Sequence, residues 1–291
     1  MVQYKGFKLL KVRIDKGVAF VTIDNPPINL LTMRLLMELN KLARKLNNDD
    51  EVKVIVFDSA DPEFFIAHFD VEMLAQAPDE APPRAKQPGG MHPICETFRT
   101  MPKVSIAKIE GACRGGGSEF VLALDMRFGS IGKAVLAQPE ISLGFIPGGG
   151  STQRLPRLLG RSRAMEVILS GLDIDAETAE RYDYINRALP PDKITDFVEH
   201  LAYRIALHPL ETIKLAKKAV LAAMELPLQE GLIEEQYLFG QTLAFPDAKY
   251  AMNLFLELGG QTREVESDLD SLTEEFIKRI TEYREKNLST E

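Results

Sequence analysis

Apolar and polar residues alternate from Leu9 to Ile14, break at Asp15-Lys16-Gly17, and give way to an apolar run from Val18 to Ile23. This is the pattern of a β-hairpin over residues 9–23. Asn25-Pro26-Pro27 ends it. Met33, Leu36, Met37, Leu39, Leu42 and Leu46 then recur at helical spacing. A helix is predicted over 32–46, stopped by Asn47-Asn48-Asp49-Asp50 before a strand at 52–58. Further strands are predicted at 104–109 and 126–130, with a short apolar segment at 134–137, and helices at 94–99, 153–158 and 163–170. Beyond residue 190 the pattern is helical, with candidates at 194–207, 209–224, 228–243, 247–258 and 268–286. The chain thus reads as an α/β body, residues 1–190, followed by a helical region, residues 191–291. Residues 76–93, rich in proline, glycine and charge, read as a mobile surface loop within the body.

With 291 residues, 45% of them hydrophobic, the chain can bury a sizeable core. Its longest apolar stretches fall well short of the roughly 20 residues that cross a bilayer, so no membrane span is expected. The first residues lack an apolar core with a cleavage site and read as the approach to a strand. Cys95 and Cys113 have no metal-ligand spacing, which argues against a disulfide framework or a zinc site and makes a reducing cytoplasm the default. The net charge of −8 and the absence of a basic run interleaved with aromatics argue against a nucleic-acid surface. A polyanion held by backbone N–H groups and a few lysines stays open.

The candidate chemistry lies in Gly115-Gly116-Gly117-Ser118-Glu119, which leads into the apolar Phe120 to Leu124, with the strand at 104–109 aimed at it. Glycines at a helix start leave N–H groups free to face an anion, and Glu119 puts a carboxylate in the first turn. Gln138-Pro139-Glu140 supplies a second carboxylate, followed by Ile146-Pro147-Gly148-Gly149-Gly150. Together they suggest an oxyanion-stabilising site with acid/base carboxylates. Taken alone, Glu119 also fits a residue matched to the helix dipole, and Glu140 a surface residue or cap.

Several segments in order then carry a resemblance: Asn25-Pro26-Pro27-Ile28-Asn29, Phe65-Ile66-Ala67-His68-Phe69-Asp70, Gly111 to Glu119, Gln138-Pro139-Glu140, Gly144, Pro147 to Leu155, and Ser170-Gly171 followed by Ala176 and Ala179. In these the chain resembles the enoyl-CoA hydratase/isomerase (crotonase) superfamily. The resemblance implies an α/β fold, a spiral of β-β-α units with a helical C-terminal region that packs homotrimers or homohexamers. It implies an enzyme of fatty-acid metabolism that acts on an acyl-CoA thioester, uses no metal, and needs no cofactor beyond the coenzyme A of its substrate. It places oxyanion donors at the amides of Phe69 and Gly116 and acid/base carboxylates at Glu119 and Glu140. It places substrate-binding positions at Asn29, Ala67, His68, Asp70, Gly115, Pro147, Gly148 and Phe255. Asp70 is expected to cap the helix that follows it, and Asp125 to be structural.

The expected activity is syn hydration of a 2-enoyl-CoA. Double-bond isomerisation, decarboxylation, hydrolysis, another lyase reaction, or acyl-CoA binding without turnover are the alternatives. Three departures bear on the choice. His68 replaces the family's usual glycine, and Phe69 a small residue. Phe255-Leu256-Glu257-Leu258-Gly259-Gly260 keeps a phenylalanine and a glutamate but lacks the basic pair that follows them in the family, so Lys249 is a candidate for phosphate contact. Gly148-Gly149-Gly150 reads as a wall of the acyl pocket beside Glu140, as a turn before the helix at Gln153, or as both at once.

Overall fold

A computed structural model describes residues 4–80 and 82–288 of the chain. Expectations that touched residues 1–3, 81 and 289–291 lie outside the described residues. Contacts divide the chain into two compact units, one ending at Ala206 and one beginning at Leu207.

In the first unit the strands are β1 (Leu10–Asp15), β2 (Val18–Ile23), β3 (Val54–Ser59), β4 (Phe64–Ile66), β5 (Val104–Ile109), β6 (Ala112–Arg114), β7 (Met126–Ser130), β8 (Val135–Ala137), β9 (Ile174–Asp175) and β10 (Arg187–Leu189). Its helices are α1 (Met33–Asn47), α2 (Val71–Leu74), α3 (His92–Thr100), α4 (Gly116–Leu122), α5 (Ser151–Leu159), α6 (Arg161–Ser170), α7 (Ala176–Arg181) and α8 (Ile194–Ala206), with a 3-10 turn at Pro139–Leu143. Among the described residues these strands form two sheets, ordered β1-β2-β3-β5-β7-β10 and β4-β6-β8-β9. The hairpin β1-β2 is antiparallel, and β2, β3, β5, β7 and β10 run parallel. In the smaller sheet β4, β6 and β8 are parallel and β9 antiparallel.

Strand periodicity sends alternate side chains to opposite faces of the larger sheet. Val18, Phe20, Val54, Val56, Ile106 and Phe128 pack with Ile194, Val198, Ala202 and Ala206 of α8. This packing keeps α8 with the α/β body, so the division falls later than the position near residue 190 where helical periodicity begins. On the other face, Ile55 and Phe57 join Leu35, Leu39, Leu42 and Leu46 of α1. There Phe57, Phe98 and Phe120 meet edge to face at 5.4, 5.3 and 5.6 Å, fixing α3 and α4 on β3.

The glycine run is fed by β6, not by β5 as its sequence order suggested. Gly111 is where the chain leaves one sheet for the other: a Cβ there would stand 2.6 Å from the Glu63 carbonyl and 2.7 Å from Phe64 N. Ala112 N–H then bonds Glu63 O at 2.8 Å. Asp125 lies beyond the end of α4, where its carboxylate accepts from Ser105 N at 2.8 Å and from Ser105 Oγ at 3.0 Å, a tie between β5 and the chain leaving α4. Residues 76–80 and 82–90 are exposed and carry neither helix nor strand.

The second unit is helical: α9 (Leu210–Ala222), α10 (Leu228–Ala244), α11 (Pro246–Glu257), α12 (Arg263–Glu266) and α13 (Asp270–Leu288). α9 packs on α10 and α11 on α13, where Tyr250 and Tyr283 stack at 3.7 Å. No helix among the described residues is long and apolar enough to cross a membrane.

Gly111→Ala tests the crossover. The groups a methyl would meet are backbone and cannot rotate away, so the variant is expected to lose about 1–3 kcal/mol of stability, read as a fall in the thermal midpoint. An unchanged midpoint would mean that β6 does not approach residues 63–64 this closely.

Candidate active site

The smaller sheet gathers the site, because its three parallel strands end side by side. β4 runs into Ala67-His68-Phe69, β6 into Gly115-Gly116, and β8 into Gln138-Pro139-Glu140. Sites at the carboxyl ends of parallel strands are the rule in such sheets, where loops are free to vary.

After β4 the chain bridges to Leu31 in parallel fashion: Leu31 N donates to His68 O at 2.9 Å, and Asp70 N to Leu31 O at 3.3 Å. That pattern turns the intervening Phe69 N–H away from Leu31. Asp70 Oδ1 accepts from Glu72 N at 3.1 Å and Met73 N at 3.4 Å, capping α2. Beneath this segment Asn29 is buried at positive φ. Its amide donates to Ser59 Oγ at 2.8 Å and to the Phe64 and Phe65 carbonyls at 3.3 Å, and its oxygen accepts from Asn25 N at 2.6 Å. Asn29, expected as a substrate contact, is buried with its side-chain amide hydrogen-bonded within the protein. Ala67 is buried as well.

Gly116 opens α4, so its N–H has no intrahelical acceptor. A Cβ at Gly116 would lie 2.9 Å from Phe69 Cβ and 3.4 Å from Phe69 N, and one at Gly117 would lie 2.6 Å from Ile66 O. Gly115 caps the helix at φ 48°, and a Cβ there would be 2.7 Å from Glu140 Oε1 and 3.7 Å from His68 Cβ. The turn therefore lets Phe69, Gly116, Glu140 and His68 crowd together. His68 is half-buried, and its Nδ1 lies 2.8 Å from Phe69 O. A carbonyl only accepts, so Nδ1 carries the hydrogen.

Both carboxylates are inside the protein, Glu119 at 3% exposure and Glu140 at 7%, which removes the surface reading of Glu140. Glu119 Oε1 accepts from Gly149 N at 2.6 Å and Ser151 N at 3.1 Å. Burial pushes its carboxyl up, and the amides of Ser151, Gly149 and Gly150 and the charge of His92 offset that rise only in part. Glu140 has fewer such partners: Oε2 is buried with no hydrogen-bond partner among the described residues. Burial, and then the neighbouring Glu119 charge, push the Glu140 carboxyl up to about 7.

Gly149 lies against Glu119. A Cβ at 149 would press on Glu119 Oε2 at 2.6 Å and on Met91 Sδ. Arg154 braces this loop, with Nη1 on Gly149 O at 3.1 Å and Nη2 on Glu96 Oε1 at 2.7 Å. Pro147 is buried, whereas Gly148 is exposed with open space around it. Phe255 lies in the second unit, its ring over Gly260, and Lys249 is exposed there. Sequence reasoning missed His92, Arg154 and the amides at 149 and 151. Only the glycine triplet signalled the last of these.

The family described as enoyl-CoA hydratase/isomerase matches residues 13–262. A relative named "Probable enoyl-CoA hydratase, mitochondrial", from Dictyostelium discoideum, is 32% identical over 82% of this chain and 85% of its own length. The short-chain-enoyl-CoA hydratase of Clostridium acetobutylicum is 30% identical over 82% of this chain and 91% of its own. Among solved structures, the enoyl-CoA hydratase of Bacillus anthracis superposes with a TM-score of 0.78 at 27% identity, covering 86% of this chain and 96% of that one.

The raised Glu140 carboxyl has a consequence for stability. A carboxyl whose folded value, about 7, exceeds its unfolded value weakens folding as pH rises between the two. Glu140→Gln removes that penalty. Its thermal midpoint is expected to exceed that of the native protein by a few degrees near pH 8 and to match it near pH 3, where the carboxyl is protonated in both states. An equal difference at both pH values would contradict the raised ionisation.

Proposed function

The chain belongs to the enoyl-CoA hydratase/isomerase family, and from that membership and its two buried glutamates we propose that it is an enoyl-CoA hydratase. It adds water syn across the C2=C3 bond of a 2-enoyl-CoA thioester and runs the reverse dehydration. The observation that carries the reading is the unequal environment of the two carboxylates. Glu119 accepts amide hydrogen bonds at 2.6 and 3.1 Å that hold down the rise burial causes in its carboxyl, while Glu140, lacking them on Oε2, is pushed up to about 7. Paired carboxyls whose environments separate their proton affinities divide base and acid roles.

The thioester oxygen accepts from Phe69 N–H and Gly116 N–H. Attack at C3 sends the C2=C3 electron pair toward the thioester, and the enolate oxygen that forms gathers charge against those fixed dipoles. Glu119 takes a proton from water as its oxygen bonds C3. Glu140 gives its proton to C2, and one proton then returns from Glu119 to Glu140. The reaction so written needs no cofactor beyond the coenzyme A carried by the substrate. His68 and Phe69 shape the acyl side of the hole, which bears on chain length. Assembly as a homotrimer or homohexamer is part of the same proposal, supported by exposed Leu143, Ile146, Leu169 and Leu172 on the first unit. A cytoplasmic setting is supported by Cys95 and Cys113, both free and buried.

Purified protein mixed with crotonyl-CoA is expected to bleach the conjugated-thioester absorbance, and Glu119→Gln or Glu140→Gln to slow this by about 10²–10⁴-fold. Variants that kept the native rate would end the mechanism. Turnover of another thioester alone would move the assignment to isomerase, decarboxylase, hydrolase or another lyase, and binding without turnover to a non-catalytic role. Hydration consumes no net proton, so kcat/KM must show one pH dependence in both directions. It is expected to fall as pH rises through about 7, when the pair loses its shared proton. Activity that rose through that range would reverse the roles given to Glu140.

A further inference from the structure

Behind the two glutamates lies a buried polar cluster that the reaction does not use. The Tyr184 hydroxyl is 2.7 Å from Ser118 Oγ and accepts from Gln138 Nε2 at 3.2 Å. All three residues are wholly buried, at 0% exposure. Ser118 immediately precedes Glu119 on α4, and Gln138 begins the turn that presents Glu140. One phenol therefore joins the two segments that carry the carboxylates.

The phenol is itself anchored through its main chain. Tyr184 N donates to Ala179 O at 2.8 Å, and Tyr184 O accepts from Arg127 Nε at 3.0 Å. The same Arg127 reaches Val121 O at 3.2 Å and Leu124 O at 2.8 Å at the end of α4. Tyr184 thus touches α4 directly through Ser118 and indirectly, through Arg127, at its far end. Burial holds the phenol far above neutrality, so it stays protonated and uncharged. It can give its one hydrogen to Ser118 Oγ while accepting from Gln138, an arrangement that satisfies a wholly buried hydroxyl. A ring fixed at both ends is a stiffer spacer than van der Waals contact between α4 and the turn.

We propose that Tyr184 is a positioning residue, whose hydroxyl sets the separation of Glu119 and Glu140 by holding Ser118 and Gln138 together. The inference rests on the catalytic reading of the two glutamates and adds to it the element that spaces them. The titratable neighbours of Glu140 are Glu119, His68 across Gly115, and Tyr184 itself. A change in spacing therefore registers first in how Glu119 and Glu140 share their proton.

Tyr184→Phe keeps the ring and removes the hydroxyl. It is expected to lower kcat about tenfold or more, to leave KM within about twofold, and to move the alkaline limb of kcat/KM by about half a pH unit. Ser118→Ala, a smaller change, is expected to do the same in the same direction, and the double variant to add little to either. If Tyr184→Phe fails to fold, Ser118→Ala alone carries the test. Native kcat per folded molecule with an unmoved pH limb, whatever the loss of thermal stability, would make the cluster merely structural and overturn the proposal. Titration of ¹³C-labelled glutamate carboxyls, assigned with Glu140→Gln, separates the two possible failures. A Glu140 titration that shifts in Tyr184→Phe upholds the spacing role even if no enoyl-CoA is hydrated, whereas an unshifted one refutes it even if hydration is found.

Discussion

The approach of the β6–α4 turn to the chain after β4 is the contact on which the site depends. Side chains are missing at Gly115, Gly116 and Gly117 because backbone and carboxylate occupy the space a Cβ would need: Ile66 O at one position, Phe69 at the next, Glu140 Oε1 at the third. With methyl groups there, the amides of Phe69 and Gly116 would be pushed apart and Glu140 displaced. The larger sheet serves this contact at a distance. Its face packs Phe57 against Phe98 and Phe120, and Phe120 is the residue after Glu119. The core thereby fixes the rotation of α4, and with it the direction in which Glu119 points.

Holding two carboxyls a short way from each other inside a protein is unfavourable for both when charged, and the protein treats them unequally. Glu119 is given main-chain donors from the loop at 149–151. That loop is tied through Gly149 O to Arg154, and through Arg154 to Glu96 on α3, where Arg99 shares the same carboxylate. Glu140 receives no such cradle. The difference between the residues is made by loops, since both lie close to the ends of neighbouring strands.

Long periodic elements were legible in the sequence. The hairpin, α1, β3, β5 and most helices of the second unit carry enough residues for a period to show. Of the strands that build the site, β4 and β6 were not legible and β8 showed only as a short apolar segment, because each has three residues and three residues show no alternation. The crossover at Gly111 was hidden for the same reason. Glu119 and Glu140 stood out by type and by their setting among glycines and proline, although only burial distinguishes them from a dipole-matched surface pair. Asn29 was legible as important but not as a clip, since its partners are carbonyls more than thirty residues away in sequence. Ser118, Gln138 and Tyr184 lie far apart along the chain, and nothing in their spacing joins them. Each looks unremarkable until the fold brings the three oxygen- and nitrogen-bearing ends together.

The three parallel strands of the smaller sheet deliver the parts of the proposed mechanism on separate segments: the Phe69 amide after β4, the Gly116 amide and Glu119 after β6, and Glu140 after β8. Because these arrive on separate chain segments, they are open to separate histories of change. Residues 67–70 can be redrawn, as His68 and Phe69 suggest, while the carboxylates keep their places. A scaffold divided in this way lets selection alter which molecule is accepted without first dismantling the means of transforming it.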